Sequence, residues 1–311
     1  METIIVNSSL EQNLARVPAK WGVFAFRAGE QYLYYSKSGN LRTRLNGMYA
    51  TRDSESSYSD LFLEATEIDY TVIAEPIHTL MEEKIFLQNN MPMYQHRLQT
   101  WRNFCYLGID ANTFPYITIQ QHTNGDWTYV GPFRSTFFVT DVIDTYSRIL
   151  KLPNCQGKDY PCDRLNENTC SGYCQNLMDG INPKQEFSLE KLQHLLKEAF
   201  LHPNNGVVEL IKREKERYFD NLEFEKADLL IDEIDLLNKY RDWLNFFYTT
   251  KELSFSNDVM TVKNGLMTQC RYKGKTYLFS KADIEFRENE KLAIDKDGLD
   301  EARIIYDYYK K

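Results

Sequence analysis

Two hydrophobic periods alternate along the first hundred residues. Val23, Phe24 and Phe26 lie in a β-rich run, Ala28-Gly29-Glu30 supplies a turn, and Gln31 to Tyr35 resumes with aromatic residues that favour a pleated surface, which together predict a β-hairpin. Leu41, Leu45 and Met48 then recur at helical spacing. A short helix is expected around Ser9 to Arg16. The polar run ATRDSESSYSD, from Ala50 to Asp60, reads as an exposed loop, and Ile68 to Ala74 as a strand. A helix from about Glu75 to Asn90 follows, with Pro76 tolerated in its first turn and Ile77, Leu80, Met81 and Ile85 as its apolar stripe. At the helical period Glu83 falls about 40 to 60 degrees from Leu80 and Leu87, on the flank of that stripe, and can lean toward the sheet; Glu82 points nearly opposite.

From Trp101 to Ser135 the chain is β-rich. The runs FPYITI and WTYV flank Asn124-Gly125, a strong hairpin signal. Lys184 to His202 predicts a helix with Ser188 as cap and Leu189, Leu192, Leu195 and Leu196 along one side. Gly206 to about Phe247 predicts a helical hairpin. Val208, Ile211 and Tyr218 mark its first arm, Ala227, Leu230, Ile231, Ile234 and Leu237 its second, and residues 221–225 its bend. Two narrow stripes make a thin core, so such a hairpin borrows a partner's surface. Beyond residue 251, strands are expected around Leu253–Phe255, Val259–Val262 and Thr276–Phe279, and a helix over Leu299–Tyr309. The fold class is α+β, divided as 1–100, a β-hairpin and cysteine region over 101–185, a helical region over 186–250, and an α+β segment over 251–311.

A length of 311 residues fits two or three compact units, and 42% apolar residues suffices for packed cores. No run of about 18 apolar residues occurs, and the start Met-Glu-Thr-Ile-Ile-Val-Asn lacks a secretion pattern, so a soluble cytoplasmic protein with no membrane partner is expected. The net charge of -8 argues against nonspecific coating of nucleic acid, whose affinity comes from cations replacing counterions. It leaves room for a local basic face: residues 1–48 carry six Lys or Arg against three Glu. Lys37, Arg42 and Arg44 crowd Tyr34 there, and a tyrosine beside cations suits phosphate chemistry.

Cys155, Cys162, Cys170 and Cys174 are spaced C-x6-C-x7-C-x3-C, four of six cysteines within twenty residues. In a reducing compartment such clustering favours a metal over disulfides, and thiolates suit an iron-sulfur cluster or zinc; spacing alone does not separate the two. Cys105 and Cys270 are isolated and read as core residues. His78, His96, His122, His194 and His202 have no ligand spacing, and no phosphate-binding glycine loop, HExxH or GxSxG motif is present.

The order Gly-Val-Phe, Tyr-Tyr-Ser-Lys, Asn-Leu-Arg-Thr-Arg resembles the GIY-YIG nuclease module, in particular the N-terminal nuclease of the UvrC family. Pro92-Met93-Tyr94-Gln95 matches the family's Pro-x-Tyr-Asn run, and counting back from it lands on Glu83 as the metal-binding glutamate. FPYITI and YVGPFRS are similar to segments that follow the nuclease in UvrC proteins, and LEFEKADLLIDEIDLL is similar to the UVR motif. The resemblance implies a GIY-YIG nuclease in residues 1–100. There Glu83 would hold one Mg2+ or Mn2+, Tyr34 would prepare the attacking water, and Lys37 and Arg44 would neutralise the transition state. It also implies a [4Fe-4S] cluster at the four cysteines, with zinc as the alternative, and a UvrB-like protein and lesion-containing double-stranded DNA as partners. The implied activity is a nick 3′ of a lesion in nucleotide excision repair. The second nuclease and helix-hairpin-helix units of UvrC have no counterpart in these 311 residues. Three positions depart from the motif: Phe24 for tyrosine, Ser36 for glycine and Gln95 for asparagine; no tyrosine aligns with the family's later one, though Tyr49 is one residue away. The alternative reading is therefore a catalytically inactive homologue that binds UvrB or DNA.

Overall fold

The computed structural model describes residues 1–54, 56–155, 162–177, 188–203, 206–279 and 292–311. It is of the α+β class, small sheets flanked by helices. The described residues fall into two compact units: residues 1–102, 252–279 and 300–311 in one, and the remainder in the other.

In the first unit a four-stranded antiparallel sheet has the order β1 (Glu2–Ile5), β4 (Glu67–Val72), β2 (Gly22–Ala28), β3 (Gln31–Ser38). The β2–β3 hairpin forms as the alternation predicts, with Phe24 opposite Ser36 and Phe26 opposite Tyr34. Gly22 is required by packing: a Cβ there would lie 2.1 Å from the Thr71 carbonyl oxygen of β4. One face of the sheet carries Phe24, Phe26, Leu33 and Tyr34 into a core with α1 (Leu10–Arg16), α2 (Leu41–Thr51) and α3 (Ser56–Glu64). Asn40 starts α2, its side chain accepting from the Thr43 N–H at 3.0 Å.

Helix α3 is a correction. The polar run beginning at Ala50 continues α2 and then enters α3, because Tyr58, Leu61 and Phe62 bring an apolar face onto that core. β1 is a second correction: residues 1–20 hold a strand as well as the expected helix, and Ile4 is its one buried contribution.

Helix α4 (Pro76–Asn89) covers the other face of the sheet, and the side it turns there differs from the one expected. Phe86 and Leu87 pack on Val23, Ala25 and Tyr35, with the Tyr35 and Phe86 rings stacked 3.7 Å apart. The stripe of Ile77, Leu80, Met81 and Ile85 faces away from that sheet, into a second core. This core is built by the antiparallel sheet β8 (Phe255–Ser256), β9 (Met260–Lys263), β10 (Leu266–Tyr272), β11 (Lys275–Leu278) and by α10 (Leu299–Tyr309). A helix apolar on nearly every side is a helix sandwiched between layers. The expected strands and closing helix of this region are present, and β10 is added as the central strand.

In the second unit the sheet order is β12 (Leu292–Ala293), β7 (Thr128–Phe133), β5 (Cys105–Ile109), β6 (Ile117–Gln120). The predicted hairpin across Asn124-Gly125 is corrected: β6 and β7 do not pair with one another but flank β5, where Leu107 pairs with Ile119 on one side and Val130 on the other. The fully buried strand CYLGI needs ladder partners on both edges, so the chain crosses over it; the loop is pinned by the Tyr129 hydroxyl, which donates to the Asn124 carbonyl at 2.9 Å and accepts from its N–H at 3.1 Å. Gly108 permits the crossing, since a Cβ there would meet the Tyr129 ring at 3.0 Å.

Helix α5 (Thr136–Leu150) buries Val139, Val142, Ile143 and Tyr146 and was not read from the sequence. After α6 (Asp163–Asn166) come α7 (Leu189–Phe200), with the Ser188 cap as expected, and the hairpin of α8 (Gly206–Asp220) and α9 (Phe224–Glu252). The part of the predicted α7 over 184–187 lies outside the described residues. Of the expected hairpin stripe, Val208, Ile211, Ala227, Leu230 and Leu237 are buried, whereas Ile231 is exposed. The far half of α9 sends Tyr240, Trp243 and Phe247 onto Phe133, with the Tyr240 hydroxyl donating to the Phe200 carbonyl at 2.7 Å. Cys105 and Cys270 are core residues, as expected. Among the described residues no helix is long and apolar enough to cross a membrane.

Candidate active site

β3 is an edge strand, and the segment after β2 would leave its outward N–H and C=O groups unpaired. Three residues from later in the chain fill that edge. The Tyr94 N–H donates to the Leu33 carbonyl at 2.8 Å, the Gln95 side-chain oxygen accepts from the Tyr35 N–H at 3.2 Å, and Glu83 Oε1 accepts from the Lys37 N–H at 2.9 Å. The carboxylate of α4 is thus held at the rim of the sheet, where the two faces meet.

Around that rim the candidate residues gather from both faces. Glu83, 9% exposed, pairs through Oε2 with the Lys37 ammonium, and its Oε1 also lies 3.4 Å from the Ser36 hydroxyl. On the α2 face Tyr34, 1% exposed, donates its hydroxyl proton to the Leu98 carbonyl at 3.3 Å and lies beside Ser36 and Arg44. Phe24 packs against the Tyr34 ring, centroids 6.0 Å apart. Arg44 is flanked by Tyr34 and by Tyr58 of α3. Its Nη2 is buried with no hydrogen-bond partner. A buried guanidinium donor left unmatched costs roughly 1 to 3 kcal/mol, a cost an anion seated there would remove. Arg42, the third cation of the motif, instead uses its Nε to bind the Val17 carbonyl at 2.7 Å. Tyr49 packs edge-on to Phe62 and beneath Arg52.

The electrostatics sort these groups. Burial pushes the Tyr34 phenol above its ordinary pKa; the Arg44 charge and the hydrogen bonds with Ser36 and Arg44 oppose it, and the Glu83 charge adds to it. Burial lowers the Lys37 ammonium, but the charge and hydrogen bond of Glu83, with Asp300 and Glu301 of α10, more than reverse this and hold it cationic. Arg44 behaves alike, with burial offset by Tyr34 and Tyr58.

The donor set fits one hydrated magnesium or manganese ion. Glu83 and the Ser36 hydroxyl are hard oxygen donors, and such an ion keeps most of its waters and needs few protein ligands. Among the described residues no three His, Cys, Asp or Glu converge as a fuller cage. Occupancy requires the Lys37 ammonium to leave Oε2.

Tyr58 and Ser36 are the residues that sequence reasoning missed as members. Tyr58 sat in a run read as loop. Ser36 was noted as a departure from glycine, and the signal that could have marked it was the alternation that puts it two residues beyond Tyr34 on the same face.

The four cysteines grouped in the sequence lie in the second unit. Burial, with the nearby thiols of Cys170, Cys174 and Cys162, pushes Cys155 up to about 12, and Cys174 is raised by burial and by Cys170 and Cys162. These are charge effects felt at a distance; among the described residues no three of the thiols converge as a ligand set. Cys170 Sγ accepts the Gly172 N–H at 3.4 Å. Six of the residues between Cys155 and Cys162 lie outside those described.

These features define an α+β protein with a single carboxylate set among a phenol and cations at a sheet edge. Over about three quarters of its length the chain is homologous to proteins named UvrABC system protein C. The relative from Fervidobacterium nodosum is 26% identical over 239 residues, covering 75% of this chain and 39% of the relative. That from Methanococcus maripaludis is 22% identical over 253 residues, 80% of this chain and 46% of the relative. The chain thus spans about two-fifths of the length of the curated relatives it matches. No protein-family model matches it. Among solved structures, the GIY-YIG N-terminal endonuclease domain of UvrC from Thermotoga maritima, bound to magnesium as its catalytic divalent cation, is 18% identical, with a TM-score of 0.27, covering 29% of this chain and 98% of that one.

Proposed function

We propose that the chain is a UvrC-like endonuclease that hydrolyses one phosphodiester bond of lesion-containing double-stranded DNA, 3′ of the lesion, in nucleotide excision repair. The observation that carries this reading is the placement of Glu83 at the β3 rim with Lys37 and Ser36, next to Tyr34 and Arg44, in a chain homologous to UvrC. Glu83 and Ser36 would hold one magnesium or manganese ion, which when bound polarises a phosphate oxygen. Tyr34, its proton committed to Leu98 and its oxygen accepting from Ser36 and Arg44, would orient a water once one of those donors turns to the phosphate or the metal. Burial favours its neutral form, so Tyr34 is assigned the role of orienting the water and not that of the base. Arg44 turns its unmatched Nη2 to the phosphate, and Lys37, released from Glu83, adds a second positive charge where negative charge grows.

The four cysteines, grouped within twenty residues of sequence, would bind a metal as thiolates once drawn together around it. Their mutual charges and burial disfavour ionisation, and a cation among them reverses that; a [4Fe-4S] cluster is the first assignment and zinc the second. At the bend of the α8–α9 hairpin Phe219, Leu222 and Phe224 are exposed, Leu222 by 73%, an apolar tip suited to docking on a UvrB-like protein.

A second reading has its own support. Phe24 removes a phenol from the motif, and the Lys37 ammonium already occupies Glu83, as in a homologue that binds UvrB or DNA without cutting. Nicking of a lesion-bearing duplex with magnesium, with and without UvrB, separates the two. Cutting by the wild type that Glu83→Gln abolishes supports the nuclease, and equal, background-level cutting by both overturns it.

A further inference from the structure

Helix α4 is packed on two sides. Glu83, Phe86 and Leu87 turn to the β2–β3 face, while Ile77, Leu80 and Met81 turn to the core of β8–β11 and α10, where Met267, Ile304 and Ile305 meet them. The three consecutive residues Glu82, Glu83 and Lys84, about 100 degrees apart around the helix, are each tied to a different element. Glu82 takes Lys273 Nζ at 3.1 Å from the β10–β11 turn, Glu83 takes Lys37 of β3, and Lys84 Nζ takes Glu301 Oε2 of α10 at 2.6 Å.

Glu301 is the junction among these ties. Its other oxygen, Oε1, accepts the Met267 N–H of β10 at 2.8 Å, so one carboxylate fixes α10, β10 and α4 to one another. The Lys84 ammonium is also held 4.9 Å above the Phe279 ring. Both ends of the tie are mostly buried, the Lys84 side chain 16% and the Glu301 side chain 13% exposed, which makes it a stiffer constraint than a surface ion pair. Lys84 adjoins Glu83 in sequence, so any rotation or slide of α4 that loosens Lys84 moves the Glu83 carboxylate along the β3 edge.

We infer that Glu301 is a positioning residue for Glu83: residues from beyond the α8–α9 hairpin return to the back of α4 and set where the metal-binding carboxylate sits. This inference rests on the reading of Glu83 as metal ligand. It deepens that reading, because the nuclease site then includes a brace contributed more than two hundred positions later in the chain, the Lys84–Glu301 separation being 217.

The test is direct binding of Mn2+ to the full chain, followed by electron paramagnetic resonance without DNA, at a temperature where circular dichroism shows each variant folded. Wild type is expected to bind one Mn2+ that Glu83→Gln loses. Glu301→Ala is expected to weaken that binding about tenfold, the scale seen when groups supporting a metal ligand are removed. Glu301→Gln keeps an acceptor for the Met267 N–H and is expected to fall between the two. Lys273→Ala, which frees only Glu82, is expected to leave binding unchanged. Lys84→Met, which keeps its stem, replaces Glu301→Ala should the latter not fold, with the same expected loss. Wild-type affinity in folded Glu301→Ala or Lys84→Met overturns the brace and leaves the metal site standing. Binding that Glu83→Gln does not alter overturns the metal site itself.

Discussion

At the scale of single residues the account turns on which groups can change partner. Glu83 is held by the amide and the ammonium of Lys37 and by the Ser36 hydroxyl, and the ammonium, on its long stem, is the donor on Oε2 that can swing away. Lys37→Met is therefore expected to free an oxygen of Glu83 and tighten Mn2+ binding while slowing nicking, a split measured by binding and turnover on the same protein. Uniform loss of both would contradict it. Arg44→Ala removes the buried unmatched donor, and turnover is expected to fall about a hundredfold or more, in the range for a charge aimed at a developing oxyanion. Melting of that variant is expected to fall as well, because the hydrogen bonds of Arg44 to Tyr34 and Tyr58 go with the side chain, so turnover is compared at a temperature where both proteins are folded. Much of this cluster was legible in the sequence. Tyr34, Lys37 and Arg44 lie within eleven residues, and Glu83 was reached by counting back from Pro92. Tyr58 was not, because a lone tyrosine among serines and aspartates has no period of its own; α3 exists only because Leu61 and Phe62 find a core built by other segments.

At the scale of elements the sequence was informative wherever one face of an element meets one core. α2, α7 and α10 are of that kind, and the β2–β3 hairpin was legible from its aromatic strands and the turn at Gly29. α4 is not of that kind. Glu83, on the flank of the stripe, leans toward the sheet as expected, but the stripe itself turns the other way, because two cores need two faces and the sheet-facing one is made by Phe86 and Leu87. The Asn124-Gly125 signal marked a true turn, with Gly125 at φ +67, but a turn does not state which strand lies beside which; the buried strand β5 decided that. Helix α5 has a readable pattern in the sequence, Ser135 as cap and Val139, Val142, Ile143 and Tyr146 at helical spacing, directly after the β-rich run. Its Ser135 side chain accepts the Phe138 N–H at 3.3 Å, and Ser135→Ala is expected to cost about 1 kcal/mol in denaturant unfolding. No change in midpoint would contradict the cap.

At the scale of the whole molecule, the proposed sites divide between the compact units: the rim of β3 in one, the four cysteines and the apolar hairpin tip in the other. Anaerobically purified protein is expected to contain iron and acid-labile sulfide at the cysteines. Zinc without iron would contradict the cluster, and neither metal would contradict thiolate binding altogether. Leu222→Asp is expected to weaken capture of a UvrB-like protein while leaving Mn2+ binding at the β3 rim unchanged; unaltered capture would remove the hairpin tip from the account. The central claim is that the rim of β3 cuts DNA. The most direct measurement is magnesium-dependent nicking of a lesion-bearing duplex, in the presence of UvrB, by wild type and Glu83→Gln side by side. The account predicts a single nick 3′ of the lesion from the wild type and a fall of about a hundredfold or more in the variant. Equal rates for the two proteins would contradict it.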